Sequence, residues 1–293
     1  MKKYILIINP KAGSAKVIEP DLADFFRQHN IKLDVKHTNK PLDAKRFAKQ
    51  AVNRYSVVIA AGGDGTINEV INGIANSSTK LGIIPLGTEN ALAQALKIPS
   101  NHEKAAKLIV REKYKMLDLG KAKNRYFIMM AGVGLDAETV NDIGPVLKKL
   151  LGRGVYPFHA LKKILTYAPS RLEIWLDDQV LPRWGYFAVI GNIKYYGGNI
   201  EIAQFAEPDD GYLDVCIFKR TDVINMFKYF ISAASNGTTP LTEFADIEYF
   251  RVKKLKIKSK KPMLAHTDAE TIGTTPLTIE AVPKAIRVIC RRR

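Results

Sequence analysis

A glycine-rich turn that carries one aspartate connects an apolar run to a helical pattern. Residues 57–61 are apolar strand formers, the turn reads Gly-Gly-Asp-Gly-Thr over residues 62–66, and the next apolar residues have helical spacing. Glycines let backbone N–H groups approach a ligand, and a helix N-terminus favours phosphate. Asp64 would repel phosphate unless a metal ion lay between them, and Mg²⁺ is usually held by one or two carboxylates plus substrate phosphates. The turn therefore predicts a Mg-nucleotide site, with Thr66 capping the helix.

Two other polar loops contain glycine and follow apolar strand patterns. The loop at residues 9–14 follows the first strand pattern, and the loop at residues 86–90 follows the fourth. The carboxyl ends of parallel strands meet at one edge of a sheet, which is where ligands bind in open α/β folds. We therefore expect all three loops to contribute to one site.

Strand and helix patterns alternate over the first part of the chain. Apolar runs typical of strands recur near residues 5–8, 31–35, 57–61 and 81–85, and apolar residues at helical spacing separate them. Such alternation favours a mostly parallel sheet covered by helices. After about residue 112 the patterns are mainly strands with short polar turns, which favours an antiparallel sandwich or barrel. Helical patterns occur there only near residues 138–167 and 221–235.

The composition limits the class of protein. The chain has 293 residues, two cysteines and a net charge of +16, and no apolar run approaches the ~20 residues of a membrane span. Two cysteines give neither a disulfide framework nor zinc spacing, so a reducing cytosol is the default. The positive charge favours a polyanionic partner, either nucleic acid, nucleotides or an anionic membrane surface.

Five motifs in order give the chain a resemblance to a known family. NPKAGSAK, GGDGTINEVING, PLGTENALA, AGVGLDAE and DGYLDV follow one another along nearly the whole sequence. In this order they resemble the diacylglycerol kinase catalytic-domain family, and more narrowly its soluble bacterial lipid kinases. GGDGT alone is shared with NAD kinases and phosphofructokinases, whereas the ordered set is much more specific.

The resemblance implies a fold and a reaction. It implies an α/β nucleotide-binding domain of the NAD kinase and diacylglycerol kinase type, a C-terminal antiparallel β-sandwich, and an active site in the cleft between them. We expect the first domain at residues 1–112, with residues 283–293 returning to it, and the lipid-substrate domain at 113–282. The implied reaction is transfer of the γ-phosphate of Mg-ATP to a lipid hydroxyl.

The resemblance also implies site residues. Glu270 matches the family's proposed general base, and Asp136 and Asp64 would join it in the active site. A structural Mg²⁺ would be held by Glu207, Asp210 and Tyr212. The residues implied to line the ATP site are Asn9, Pro10, Lys11, Ala12, Gly13, Ser14, Thr38, Gly62, Gly63, Asp64, Gly65, Thr66, Asn68 and Thr88.

Two positions depart from the family pattern. Glu89 replaces the small residue that usually lies between Thr and Asn in the third loop, which adds a negative charge near the site. Ala269 replaces the glycine of the family's Asp-Gly-Glu motif. If that turn needs a positive φ, alanine destabilises it relative to glycine.

The leading functional prediction is a lipid kinase with diacylglycerol as acceptor. Phosphatidylglycerol and a sphingoid or ceramide lipid remain alternative acceptors. An NAD kinase is a further alternative, disfavoured by NPKAGSAK and GTENALA. A non-enzymatic nucleotide- or nucleic-acid-binding protein is disfavoured because the sequence lacks a helix-turn-helix, a zinc finger and an RNP-like aromatic strand.

A basic segment bears on membrane binding. Between residues 144 and 171, an apolar helical stripe lies near five cationic side chains, namely Lys148, Lys149, Arg153, Lys162 and Lys163. A helix packed on its own domain and a helix docked on anionic lipid explain this pattern equally well. We expect a cytoplasmic protein that binds the membrane peripherally, and a homodimer stays open as its assembly.

Overall fold

The structure is a computed structural model that describes residues 2–135, 137–138, 170–197, 200–234 and 240–291. Asp136, the five cationic residues of the basic segment and residues 139–167 of the predicted helix lie outside the described residues. The chain forms two compact units. Unit 1 contains Met1–Leu119 and Val282–Arg293, and unit 2 contains Gly120–Ala281. The domain bounds expected from the sequence stay a prediction.

Unit 1 is built on a parallel sheet with the order β2-β1-β3-β4-β18. Its strands read as near-continuous apolar runs because parallel strands are covered on both faces; in β3, all six residues are buried. The strands are β1 (Lys2–Ile8), β2 (Ile31–His37), β3 (Val57–Gly62), β4 (Lys80–Pro85) and the second part of β18 (Leu277–Ile289).

Five helices connect these strands or follow them. The first and third bury apolar residues three or four positions apart, which is the periodicity of one helix face. The helices are α1 (Ala15–Gln28), α2 (Asp43–Ala51), α3 (Asp64–Ile74), α4 (Ala91–Ala95) and α5 (His102–Val110).

Unit 2 contains two antiparallel sheets with a shared core. One joins β18, β15 (Lys254–Ser259), β8 (Leu172–Leu176) and β9 (Arg183–Gly185) in that order. The other joins, in order, β14 (Ile247–Val252), β13 (Leu213–Phe218), β10 (Phe187–Gly191), β7 (Met130–Val133), β16 (Leu264–Thr267) and β17 (Glu270–Thr274). Strand β15 shows the alternation of a half-buried strand, since Leu255 and Ile257 are buried while Lys254, Lys256 and Lys258 are exposed. The core cluster takes residues from both sheets, so the unit is a sandwich. The predicted fold class is confirmed.

Two strands carry the chain from one unit to the other. Strand β5 (Tyr114–Ala122) and strand β18 contain the points at which the chain passes from one unit to the other. One helix, α6 (Val223–Ala234), matches the pattern predicted near 221–235. The other strands are β6 (Arg125–Phe127), which pairs with β5, and β11 (Tyr195–Gly197) and β12 (Ile200–Glu201), which pair with each other.

Helices α2 and α3 pack closely at Gly73. A Cβ atom at this position would lie 2.5 Å from the Ala48 Cβ and 2.7 Å from the Lys45 carbonyl oxygen. Gly65, on the same helix, has no atom within 4 Å of such a Cβ. Gly73 therefore sets the distance between the helices, whereas Gly65 does not.

We expect Gly73→Ala to destabilise unit 1 by about 1–3 kcal/mol, because the added methyl group must push backbone atoms of α2 away. Gly65→Ala is the matched control and should leave the stability unchanged or raise it by up to about 1 kcal/mol, since alanine favours a helix. Denaturant unfolding without nucleotide measures both. Equal stabilities of the two variants would contradict the tight packing.

Candidate functional site

The three loops predicted from the sequence lie at the same edge of the unit 1 sheet. The Asn9 N–H donates to the Ala61 carbonyl oxygen at 3.0 Å, and the Leu86 N–H donates to the Gly62 carbonyl oxygen at 2.9 Å. These bonds join the carboxyl ends of β1, β3 and β4, so each loop begins beside the next.

Glycines allow the loops to touch through their backbones. A Cβ on Gly87 would lie 2.6 Å from the Gly63 Cα, and a Cβ on Gly13 would lie 2.8 Å from the Leu86 carbonyl oxygen. Gly13 also has a φ of +42°, which disfavours other residues. There is no room for a side chain at Gly13 or Gly87. The backbone N–H groups of the three loops therefore lie close together at the sheet edge.

Asp64 ties the second loop to the third. Its carboxylate accepts hydrogen bonds from the N–H groups of Ala91 at 3.2 Å and Leu92 at 3.3 Å, at the start of α4. Asn90 fixes the preceding turn by accepting from the Gly87 N–H at 2.8 Å and donating to the Gly87 carbonyl oxygen at 2.7 Å. The loop conformation therefore depends on side chains as well as on glycine.

Asp64 retains the capacity to serve a metal ion. Each carboxylate oxygen has two lone-pair positions, and the two hydrogen bonds to α4 use one on each oxygen. Mg²⁺ is usually held by one or two carboxylates plus substrate phosphates, and backbone N–H groups near a helix start bind those phosphates. The residues present fit a Mg-nucleotide at this edge.

The start of α3 differs from the prediction. The helix begins at Asp64 with Gly63 at the N-cap position, where φ is −86° and ψ is −177°. Thr66 therefore lies inside the first turn, and the expectation that it caps the helix is wrong. An acidic residue in the first turn is favoured by the helix dipole, which explains why the helix begins earlier.

The other residues predicted for ATP lie around the same loops. Lys11, Gly13 and Ser14 are exposed, and the Asn9 side chain accepts from the Lys11 N–H at 3.0 Å. Thr38 follows β2 at the same sheet edge. The structure brings together Asn9, Pro10, Lys11, Ala12, Gly13, Ser14, Thr38, Gly62, Gly63, Asp64, Gly65, Thr66 and Thr88, while Asn68 is buried within α3.

In unit 2, Glu270 follows a tight hairpin turn that a buried carboxylate anchors. Asp268 and Ala269 have φ values of +44° and +61°, so alanine occupies a conformation that favours glycine. The Asp268 carboxylate accepts from the N–H groups of residues 128, 129 and 130 at 2.9–3.0 Å. Three such bonds hold the turn in place and offset the strain at residue 269.

Glu270 itself is half exposed and paired. Its Oε2 atom lies 2.7 Å from Nη1 of Arg125, which belongs to β6. The guanidinium restricts the orientation of the carboxylate while leaving 42% of the glutamate side chain accessible. The carboxylate is therefore accessible from solvent. Asp136, the other predicted acid, lies outside the described residues.

The acidic loop predicted to hold a structural Mg²⁺ contains a different cation. Asp210 accepts from the Tyr212 N–H at 2.9 Å and pairs with the Arg251 guanidinium, which also lies over the Tyr212 ring. Glu207 is exposed. Among the residues that the structure describes, no group of three or more His, Cys, Asp or Glu is arranged to hold a metal ion. As arranged, with Arg251 paired to Asp210, the loop does not fit Mg²⁺.

A buried aspartate lies next to this loop. Burial raises the pKa of Asp214, and the charges of Asp210 and Glu207 act in the same direction. A hydrogen bond from Tyr249 and the charge of Arg251 oppose this rise without reversing it. Arg251 is therefore the nearby cation that balances a group of three carboxylates.

Several of these residues were not predicted as site residues. Asn90 lies in the third loop and Asp268 in the turn before Glu270, so their polar types in turns were available as a signal. Arg125 and Arg251 lie in strand patterns outside the motifs. Nothing in their spacing indicated that they would contact Glu270 and Asp210.

A parallel α/β unit with glycine loops at its sheet edge, followed by a β-sandwich, defines a nucleotide-dependent kinase class, and the comparisons specify it. Residues 3–122 match the family described as the diacylglycerol kinase catalytic domain, and residues 129–290 match the YegS C-terminal NAD kinase beta sandwich-like domain. The chain therefore belongs to the diacylglycerol kinase catalytic-domain family. The predicted class, an ATP-using lipid kinase, is confirmed.

Individual relatives agree over most of the chain. It is 30% identical over 283 residues to a diacylglycerol kinase of Bacillus subtilis (strain 168), covering 94% of this chain and 92% of the relative. It is 29% identical to one of Staphylococcus haemolyticus (strain JCSC1435), covering 97% and 86%. A crystal structure of a diacylglycerol kinase from Bacillus anthracis str. Sterne aligns with a TM-score of 0.77 and 26% identity, covering 99% and 97%.

Asp64 and Glu69 allow a matched test of the nucleotide site. Glu69 lies on the same helix, and its carboxylate accepts from the N–H groups of Leu42 and Ala44 at the start of α2. Asp64→Asn and Glu69→Gln should each lower stability by about 1 kcal/mol, because each weakens hydrogen bonds at a helix start. Only Asp64→Asn should weaken Mg-ATP binding, by at least about tenfold.

Calorimetric titration of each variant with Mg-ATP and with ATP plus chelator measures this difference. The loss in Asp64→Asn should be larger with Mg²⁺ present than without it. An equal loss in both variants, or an unchanged affinity in Asp64→Asn, would leave the carboxylate with a purely structural role.

Arg251 makes the acidic loop testable without any assay of activity. Arg251→Gln should lower the melting temperature by about 2–4 °C, because it removes the cation beside Asp210. Millimolar Mg²⁺ should raise the melting temperature of this variant, while a chelator should leave that of the wild type unchanged. Lys253→Gln is the control, since Lys253 lies over the same Tyr212 ring. A wild-type melting temperature that falls with chelator would instead support the Mg²⁺ site predicted from the sequence.

Proposed function

We propose that this protein transfers the γ-phosphate of Mg-ATP to the hydroxyl group of diacylglycerol and so forms phosphatidic acid. The observation that carries the proposal is the group of three glycine loops that touch through their backbones at one edge of the unit 1 sheet, with Asp64 between them. The names of the relatives support diacylglycerol as the acceptor.

Unit 1 is proposed as the ATP-binding unit. Backbone N–H groups of the loops after β1, β3 and β4 would contact phosphate oxygens, as such groups do at helix N-termini. Mg²⁺ bound with ATP would neutralise charge on the phosphates during transfer. Asp64 would orient that assembly through its carboxylate, which α4 already holds in place.

Unit 2 is proposed as the lipid-substrate unit, with Glu270 as the general base. A lipid hydroxyl is a weak nucleophile, and a carboxylate within hydrogen-bond reach can accept its proton as the phosphorus–oxygen bond forms. Arg125 would hold the Glu270 carboxylate in one orientation, and Asp268 would hold the turn. Asp136 is proposed as a second active-site acid.

The proposed substrate indicates where in the cell the protein acts. No helix in the described parts of the chain is long and apolar enough to span a membrane, while diacylglycerol resides in bilayers. We therefore propose a cytoplasmic enzyme that binds an anionic membrane surface peripherally, since the chain carries a net charge of +16. The assembly stays open between a monomer and a homodimer, and light scattering distinguishes the two.

Labelled ATP and a panel of acceptors test the reaction. The purified protein, Mg-ATP and mixed micelles of diacylglycerol should give labelled phosphatidic acid. Micelles with phosphatidylglycerol or a ceramide, and NAD in solution, serve as competing acceptors in separate reactions. An acceptor that gives more labelled product than diacylglycerol would replace it in the proposal.

Glu270→Gln tests the proposed base. The amide keeps the shape of the side chain but cannot accept the proton, so kcat should fall about 10²–10⁴-fold. The dissociation constant of Mg-ATP should stay within about twofold, because the proposed ATP loops belong to unit 1. Mixed-micelle kinetics and calorimetric titration measure the two quantities.

Glu280→Gln is the matched control for this variant. Glu280 lies in the same unit, is also 42% exposed and pairs with a cation, Lys121, at 3.7 Å. Its kcat should equal that of the wild type within about twofold. If both variants lose activity equally, or if Glu270→Gln retains it, then Glu270 is a turn residue and not the base.

A further inference from the structure

Helix α6 presents three large apolar side chains to solvent. Ile224, Phe227 and Ile231 are 69%, 62% and 52% exposed, and their spacing of three and four positions places them on one face. The other side of the helix is already packed, since Tyr229 and Ala233 are buried. We call the three exposed residues the α6 stripe. Its continuity distinguishes it from single exposed apolar residues, which are common on protein surfaces.

The charges near the α6 stripe are cationic. Lys228 is exposed beside the stripe and is the only charged residue of α6. Arg220, just before the helix, is 63% exposed, and its Nε atom lies 3.6 Å from the Asp246 carboxylate, which is 24% exposed, so the arginine is the more accessible partner of this pair. Asp222 accepts hydrogen bonds from the backbone and side chain of Asn225, so this acid is engaged in starting the helix. An apolar face with basic residues at its border is typical of helices that lie in the interface of an anionic bilayer.

We propose that the α6 stripe is the surface through which this lipid kinase docks on an anionic bilayer. The three apolar side chains enter the boundary between head groups and acyl chains, and Lys228 and Arg220 stay at the level of the head-group phosphates. The inference rests on the proposed function, because an enzyme that phosphorylates a bilayer lipid must contact the bilayer surface. It also names the element that makes this contact.

A bilayer fits this surface better than a second copy of the chain. A symmetric dimer brings the same patch of both copies together, so the Lys228 ammonium groups of the two copies would approach each other. Anionic head groups present the opposite sign to them. The net charge of +16 adds to this attraction over the whole molecule.

Vesicle sedimentation tests the surface directly. Wild-type protein should bind phosphatidylglycerol-containing vesicles, and Phe227→Gln/Ile231→Gln should reduce the apparent partition coefficient at least about tenfold, because two exposed apolar side chains no longer enter the bilayer. Lys228→Gln should reduce binding to these vesicles and leave binding to neutral phosphatidylcholine vesicles unchanged.

Val180→Gln/Leu181→Gln is the matched control. These residues are 88% and 78% exposed in the turn between β8 and β9 of the same unit, so the substitution removes equal apolar surface elsewhere. This variant should bind vesicles within about twofold of the wild type. Equal thermal unfolding of all variants establishes that the exposed substitutions leave the fold intact.

A soluble acceptor separates this inference from the proposed function. With a short-chain diacylglycerol below its aggregation concentration, Phe227→Gln/Ile231→Gln should keep the wild-type kcat/KM within about twofold, whereas its activity on vesicles should fall about tenfold. If no variant phosphorylates any diacylglycerol but vesicle binding still depends on α6, the proposed function fails and the docking surface stands.

Three results would overturn the docking surface. The first is vesicle binding by Phe227→Gln/Ile231→Gln equal to that of the wild type. The second is a wild type that binds no vesicles. The third is a wild-type dimer in light scattering that these substitutions convert to a monomer without changing vesicle binding, which would make the α6 stripe a contact between copies.

Discussion

The direct backbone contact between the loops after β3 and β4 is the constraint on which the candidate site depends. It exists because the two backbones approach closely at Gly63 and Gly87: a Cβ atom on Gly87 would lie 2.6 Å from the Gly63 Cα, and one on Gly63 would lie 3.3 Å from the Gly87 Cα. The contact brings the start of α4 within reach of Asp64, whose carboxylate then joins the two segments. Loop geometry, charge placement and exposed N–H groups at this sheet edge all follow from that approach.

In unit 2, a buried carboxylate, and not glycine, stabilises the turn before Glu270. A hairpin with two consecutive residues at positive φ is unfavourable without glycine, yet Asp268 and Ala269 adopt it. The turn holds because the Asp268 carboxylate accepts three backbone hydrogen bonds from residues 128–130. The buried Asp268 therefore fixes the position of Glu270, while the Glu270 side chain remains accessible.

The sequence predicts most of the fold because each strand type leaves a distinct pattern. Continuous apolar runs such as residues 57–61 indicate covered parallel strands, and the alternation in Lys254–Ser259 indicates a sandwich strand. The loop residues of unit 1 were predictable for the same reason, since each follows such a run. The ion pairs of Arg125 and Arg251 were not, because strand register over long sequence separations decides which side chains meet. The N-cap of α3 was misplaced by three residues because Gly63, and not Thr66, adopts the N-cap conformation.

The contribution of β18 to unit 1 affects how that unit can form. Arg287 lies 210 residues after Ser77, yet its guanidinium donates to the Ser77 carbonyl oxygen, and β18 pairs with β4 in parallel. Closing such a long segment is slow relative to local contacts. During synthesis on the ribosome, β4 must therefore wait with one edge unpaired until all of unit 2 has been made. A chaperone or an early intermediate that covers this edge would protect the nascent chain from aggregation.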